Sequence, residues 1–223
     1  MKAMLLAAGR GERLRPITDS LPKPLVRIGG RPLIAWHLAR LAQAGVREVV
    51  INLSWLGEKV RAALGDGREF GVRISWSEEG PVPLETGGGI LKALPLLVPG
   101  PFLVVSADIW TDIDFAGIRI PDQSQAHLVL IPNPPHHPRG DFGLEEGLVV
   151  DRENDRLTYA NVGIYRAELF EGFSARRFPL LTVLRRGIAS RAVSGEIHRG
   201  EWCDVGTPER LGDLEKRLQS SVR

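Results

Sequence analysis

Cysteine is almost missing: Cys203 stands alone in 223 residues. That excludes an intrachain disulfide and fits a reducing compartment. Long apolar runs are missing too. None approaches the roughly 20 residues that cross a bilayer, so no membrane span is expected. The apolar start, residues 4–8, passes straight into glycines without the pattern of a cleavable leader. Charge of one sign does not accumulate, since 29 Lys and Arg stand against 27 Asp and Glu for a net +2. With no long basic run and aromatics at 6%, a nucleic-acid surface is not expected. These absences leave a cytoplasmic globular protein that handles small molecules, with no nucleic acid and no membrane as partner. Nothing in the sequence specifies an oligomeric state. Hydrophobic and charged contents of 43% and 25% are ordinary for such a chain.

What is there opens with MLLAAGRGERLRPITDSLPKPLV, residues 4–26. Met4-Leu5-Leu6-Ala7-Ala8 suits a buried strand. Gly9 and Gly11 break it, and small residues let backbone amides approach a bound group closely. Arg10, Arg13, Arg15 and Lys23 follow. A strand, a glycine-rich loop and then cations is the order a triphosphate site needs. Neither common phosphate fingerprint is present, because the P-loop ends in Gly-Lys-Ser/Thr and the dinucleotide motif needs a third glycine opening a helix.

Further on, Pro32 suits a helix start, apolar residues recur at helical spacing from Leu33 to Ala44, and Gly45 suits the C-terminal cap. Residues 48–53 read as a strand, 55–64 as a short helix stopped by Gly65-Asp66-Gly67, and 72–77 as a strand. From Leu84 a glycine turn feeds a helix, and residues 102–106 form another buried strand. Strands alternating with helices predict an α/β fold with a doubly wound, mostly parallel sheet. In the second half residues 126–131 and 157–165 read as strands, separated by Pro- and Gly-rich turns over 133–147. Residues 178–189 read as helix, 192–198 as extended chain and 208–219 as a terminal helix. There is no repeat and no low-complexity tract.

Two acidic positions stand out. Asp108 follows the strand ending at Ser106, at a carboxyl end where open α/β sheets place ligands. Asp204 lies just before the terminal helix. On the residues alone, Asp108 reads equally as a turn residue and Asp204 as a helix cap.

Leu6-Ala7-Ala8-Gly9-Arg10-Gly11-Glu12-Arg13-Leu14-Arg15-Pro16-Ile17-Thr18, followed by Pro22-Lys23-Pro24-Leu25-Val26, resembles the signature of sugar-1-phosphate nucleotidyltransferases. The resemblance covers nearly the whole chain. It implies one Rossmann-like domain, with a nucleotide-binding core over residues 1–115, a small acceptor-side subdomain over 116–200 and the C-terminal helix. It implies that a nucleoside triphosphate and a sugar 1-phosphate give a nucleotide sugar and pyrophosphate. Arg13, Lys23 and Asp108 would be catalytic. Ala8, Gly9, Gly11, Glu12, Arg13 and Lys23 would hold the triphosphate, and Glu85 with Gly88 would lie against base and ribose. Asp108 and Asp204 would hold Mg²⁺, with Asp112 and Asp114 as weaker candidates behind them. Ser106, Asp141, Asn161 and Gly163 would contact the acceptor, with Arg139 within reach.

Two departures from the family pattern stand out. Ser106-Ala107-Asp108 replaces the usual Gly-Asp, which adds only a methyl group. The Glu-Lys-Pro motif, whose lysine would touch the sugar phosphate, is absent. Adjacent His136 and His137 rarely face one metal on an extended loop, so a polar surface loop is expected there rather than zinc. The segments PLETGGGI, VSADIWTD and HHPRGDF resemble the uridylyltransferases of the family, which implies UTP and N-acetylmuramate 1-phosphate. Guanylyl transfer to mannose 1-phosphate is the next reading, then thymidylyl or uridylyl transfer to glucose 1-phosphate. A catalytically silent nucleotide-sugar sensor is the alternative of another class, and the intact Arg13, Lys23, Asp108 and Asp204 set speaks against it.

Overall fold

The structure, a computed structural model, describes residues 1–174 and 176–220. It opens with β1 (Lys2–Leu6), the single-turn α1 (Ile17–Ser20), the hairpin β2 (Arg27–Ile28) and β3 (Arg31–Pro32), then α2 (Leu33–Gln43). The alternating part continues with β4 (Glu48–Leu53), α3 (Gly57–Leu64), β5 (Arg73–Glu78), α4 (Glu85–Leu97) and β6 (Phe102–Ser106). The second half holds β7 (Ile109–Thr111), β8 (Ala126–Ile131), the hairpin β9 (Gly143–Glu145) and β10 (Leu148–Val150), and β11 (Thr158–Tyr165). It ends with α5 (Leu180–Ala189), β12 (Val193–Ile197), β13 (Trp202–Asp204) and α6 (Pro208–Ser220).

One nine-stranded sheet runs in the order β5-β4-β1-β6-β11-β8-β12-β10-β9. The four strands of the alternating half lie parallel, and β11 and β10 run against the others. Side chains alternate between the faces with the strand period of two. Ala3, Leu5, Val49, Ile51, Leu103 and Val105 meet α2 and α3 through Ile34, Leu38, Leu41, Val60 and Leu64. Met4, Val50, Phe102 and Val104 meet α4 and α5 through Ile90, Leu97, Val183 and Leu184 on the other face. Apolar strand runs buried on both sides are what a doubly wound sheet requires. A separate ribbon pairs β13 with β7, and its Trp110, together with Val205 just past β13, packs on Leu214 of α6. Among the described residues no helix is long and apolar enough to cross a membrane.

The differences from the sequence reading have local causes. The first strand stops at Leu6, and the Ala7 amide donates to Asn52 Oδ1 at 2.7 Å instead of to a neighbouring strand. The helix expected from Trp55 starts at Gly57 because Leu56 is left-handed, at φ 53°. The helix expected from Phe178 starts at Leu180, since the Phe178 amide and carbonyl are taken by the start of α4 and Pro179 follows. Gly87, Gly88 and Gly89 form no turn and lie inside α4. The turn-rich stretch holds the β9–β10 hairpin, closed by Glu146 and Gly147, both at positive φ as a tight hairpin turn demands.

One buried side chain anchors the ribbon to the core. His37 of α2 is 2% exposed, and its Nε2 lies 2.7 Å from the Ile109 carbonyl, to which it donates. Burial lowers its pKa to about 4, against the opposing effect of that hydrogen bond. The folded state therefore holds His37 neutral, while the unfolded chain protonates it below the ordinary value near 6.5. Its contribution is complete above about pH 6.5 and is lost as pH falls toward 4. Between those limits the protein is expected to lose roughly 3 kcal/mol that a His37→Gln variant does not lose. Urea unfolding of both chains at pH 7 and pH 4.5 measures the difference, and parallel losses would refute it.

Candidate active site

Parallel pairing puts Leu6 beside Ser106, so the loops after β1 and β6 leave the sheet side by side. In the first loop Gly11 is left-handed, and a Cβ there would crowd Thr18 and Lys23. The Thr18 hydroxyl holds the loop by donating to the Gly11 carbonyl at 2.8 Å. A Cβ on Gly9 would meet nothing within 4 Å, so that stretch of backbone faces open space. The loop returns through the buried Lys23, whose Nζ donates to Asp108 Oδ2 at 2.6 Å. Removing charges from water is costly unless they are paired, and this pair binds the loop to the carboxyl end of β6.

Three hollows meet here. The first, about 240 Å³, lies between Ala7, Ala8 and Gly9 on one side and Pro83, Glu85 and Thr86 on the other, with Ser106 and Asp108 at its end. The second, about 570 Å³, runs along Gly9, Gly11, Glu12, Arg13 and Lys23 to Gly206. It gathers the cations Arg10, Arg13, Lys23 and Arg177 against Glu12, Glu85 and Asp108. The third, about 470 Å³, is walled by α5, the loop over residues 134–142 and β11. Arg13 lines the second and third, and Asp108 the first and second.

Asp204 lies in β13 beside Ile109, and the Val205 amide donates to the Asp108 carbonyl at 2.8 Å. It does not cap α6, where the Thr207 hydroxyl accepts from the Arg210 amide. Its Oδ1 faces His136 Nε2 at 2.9 Å and Arg210 Nη1 at 3.1 Å. That oxygen is nevertheless buried without an aligned hydrogen-bond donor. Among the described residues no cluster of three or more His, Cys, Asp or Glu could hold a metal. A magnesium ion that fills its shell with phosphate oxygens and water needs only one or two carboxylates. Asp108 and Asp204, whose backbones the ribbon sets side by side, are the two carboxylates such an ion would use.

Of the acceptor candidates, Asp141 and Asn161 line the third hollow. Asp141 is fixed by the Tyr159 amide at 2.8 Å and by His137 at 3.0 Å. Asn161 holds a left-handed φ of 58° at an irregularity in the β11 register. Asparagine adopts this left-handed backbone more readily than most residues. Ser106 lines the first hollow, not the third. Gly163 lines none of the three, and a Cβ there would run into the His127 carbonyl of β8.

Other expected positions sit elsewhere. Asp112 pairs with His198 at 2.7 Å and Asp114 accepts from the Ala116 amide, away from the hollows. Arg139 is exposed and lines none of them. The two histidines lie on an exposed loop, and both also line the third hollow, each on its own aspartate. Sequence reading missed Asn52, Glu79, Thr86, Tyr159 and Trp202 as hollow-lining residues. A polar Asn52 closing the apolar run EVVIN was the one signal available.

Residues 2–221 match the family profile described as nucleotidyl transferase. The chain belongs to the nucleotidyl transferase family. It is 51% identical, over 96% of its length and 97% of the relative's, to the N-acetylmuramate alpha-1-phosphate uridylyltransferase of Neisseria meningitidis serogroup B. It is 31% identical to the mannose-1-phosphate guanyltransferase of Aspergillus fumigatus, over 94% of this chain but 62% of that protein. The solved structure of HddC from Yersinia pseudotuberculosis complexed with GMP-PN has the same fold. Its TM-score is 0.80 at 19% identity, covering 97% of this chain and 99% of that one. The family acts on nucleotides and sugar phosphates.

The triple glycine has its explanation inside the protein. The amides of Gly87 and Gly88 both donate to the Phe178 carbonyl at 3.1 Å, so they are not available to a base. A Cβ on Gly88 would collide with the Arg176 carbonyl. Gly88→Val is therefore expected to act on stability, through overpacking of about 1–3 kcal/mol, and to lower Tm by several degrees. Calorimetry checks it. An unchanged Tm with impaired nucleotide binding would return Gly88 to the ligand's wall.

Proposed function

We propose that the protein transfers the uridylyl group of UTP to N-acetylmuramate 1-phosphate, giving the UDP-sugar and pyrophosphate. The observation that carries the reaction type is the Lys23–Asp108 pair, which lies in the wall shared by the first and second hollows. The similarity to the uridylyltransferase, which spans both chains almost end to end, supports the choice of substrates. The acceptor is an amino sugar of peptidoglycan, so a role in cell-wall recycling follows from the reading.

In this reading the nucleoside takes the first hollow against Ala8, Pro83 and Glu85, the triphosphate takes the second, and the acceptor sugar takes the third. An oxygen of the acceptor phosphate attacks the α-phosphorus. The bond to the oxygen bridging the α- and β-phosphorus breaks, and pyrophosphate carries that electron pair away. Phosphate oxygens are already anionic at neutral pH, so no general base is needed. Positioning and charge neutralisation supply the rate. Lys23 stands at the junction and would neutralise charge between donor and acceptor. Arg13, which makes no ion pair among the described residues, would hold the departing pyrophosphate. Members of the family generally use a divalent metal. Mg²⁺ held by Asp108 and Asp204 would add charge stabilisation at the reacting phosphates.

Turnover with UTP is expected to exceed that with GTP at least tenfold in kcat/KM, about 1.4 kcal/mol in transition-state binding. Pyrophosphate release from N-acetylmuramate 1-phosphate and mannose 1-phosphate, each with both nucleotides, is the test. A preference for GTP and mannose 1-phosphate would replace the reading by guanylyl transfer. Lys23→Ala is expected to lower kcat more than it weakens UTP binding, because its charge acts as the acceptor closes on the α-phosphorus. A collapse of UTP affinity at unchanged kcat would make Lys23 a binding residue only.

A further inference from the structure

Glu79 is a nearly buried carboxylate, 7% exposed, in the floor of the first hollow, and both its oxygens are held by uncharged donors. Asn52 Nδ2 donates to Oε1 at 2.6 Å, and the Leu84 amide donates to Oε2 at 2.7 Å. Asn52, 3% exposed, accepts from the Ala7 amide through its own Oδ1 at 2.7 Å. Three hydrogen bonds thus run in series from the first residue past β1 to the residue just before α4. Ala7 leads into the glycine-rich loop, and Leu84 leads into Glu85, which is held at a φ of 60°. A Cβ on Gly89 would strike Glu79 Oε1 and come within 3.0 Å of Asn52 Nδ2, so the third glycine leaves room for this linkage.

We propose that Asn52 and Glu79 form a positioning latch that sets the separation between the glycine-rich loop and the start of α4, and with it the fit of the nucleoside. The inference rests on reading the first hollow as the nucleotide site. The direction of each bond follows from its ends. A backbone N–H only donates, so the Asn52 oxygen faces Ala7 and its NH₂ faces Glu79. Position 79 must then accept from both Asn52 and Leu84, which a carboxylate does and an amide cannot. A glutamine in place of Glu79 would leave one buried donor unmatched in either orientation. Exchanging the two groups restores every bond. An aspartate at position 52 accepts from Ala7 and from the NH₂ of a glutamine at position 79, and the oxygen of that glutamine accepts from Leu84. The net charge is unchanged.

The test compares Glu79→Gln with the double variant Asn52→Asp/Glu79→Gln, using UTP binding by calorimetry together with steady-state kinetics. An unmatched buried group in the single variant is expected to raise Kd and KM for UTP about tenfold. The acceptor KM should hold, and kcat should change less than about threefold. The double variant should bind UTP within about threefold of the parent protein. A role in folding alone would lower Tm without this split between the two substrates. A single variant that binds UTP like the parent, or a double variant no better than the single, would overturn the latch. Should Glu79→Gln not fold, the double variant decides alone, and its failure to fold and bind UTP overturns the proposal. A parent protein that binds no UTP would overturn the reading of the hollow and the latch's role together.

Discussion

The parallel pairing of β1 with β6 is the constraint on which the rest depends. Matching Leu6 with Ser106 ends both strands at one level, and the Ala107 amide donates on to the Leu6 carbonyl. In a parallel sheet all carboxyl ends share an edge, so the loops that follow must meet there. Lys23 and Asp108, 85 positions apart, come within 2.6 Å of each other for that reason. Two apolar strands therefore place a glycine-rich loop, a buried cation and a carboxylate in one place before any ligand arrives.

The second half of the chain extends the same surface. β11 joins the sheet beside β6 in the opposite direction, and β8 and β12 follow, so the third hollow is walled by the sheet that carries the loops after β1 and β6. The β7–β13 ribbon closes the gap, with His37 holding Ile109 from beneath and the Val205 amide holding Asp108 from beside. Asp204 reaches the site through this ribbon. A dipeptide of histidines then serves two aspartates at once, His136 on Asp204 and His137 on Asp141.

The role of the triple glycine changed most between sequence and structure. Glycine next to a nucleotide motif suggests close approach of backbone and ligand, and Gly9 keeps that open space. Gly87, Gly88 and Gly89 answer to three protein neighbours instead: Phe178, the Arg176 carbonyl and the Glu79 carboxylate. None of these neighbours lies within the glycine segment itself, which is why composition and spacing carried no sign of them. The buried Asn52–Glu79 link was hidden in the same way, since an asparagine at a strand end and a glutamate in a loop are individually unremarkable.

The sequence by itself determined the alternation of strands and helices, the buried strand ahead of the glycine-rich loop, and the family signature from Leu6 to Val26. These are local matters of period, chirality and turn chemistry, and they survive in the structure with shifts of a few residues. Only the tertiary structure decided which carboxylates face the site. Asp108 lines the first and second hollows and Asp204 the third, whereas Asp112 and Asp114, no less acidic and nearly adjacent to Asp108, turn to His198 and to a local turn. It also decided that Ser106 lines the first hollow rather than the third and that Gly163 packs against β8. The reason is physical: a side chain's face depends on strand register and on contacts from distant segments, and neither is encoded in the residue's immediate neighbours.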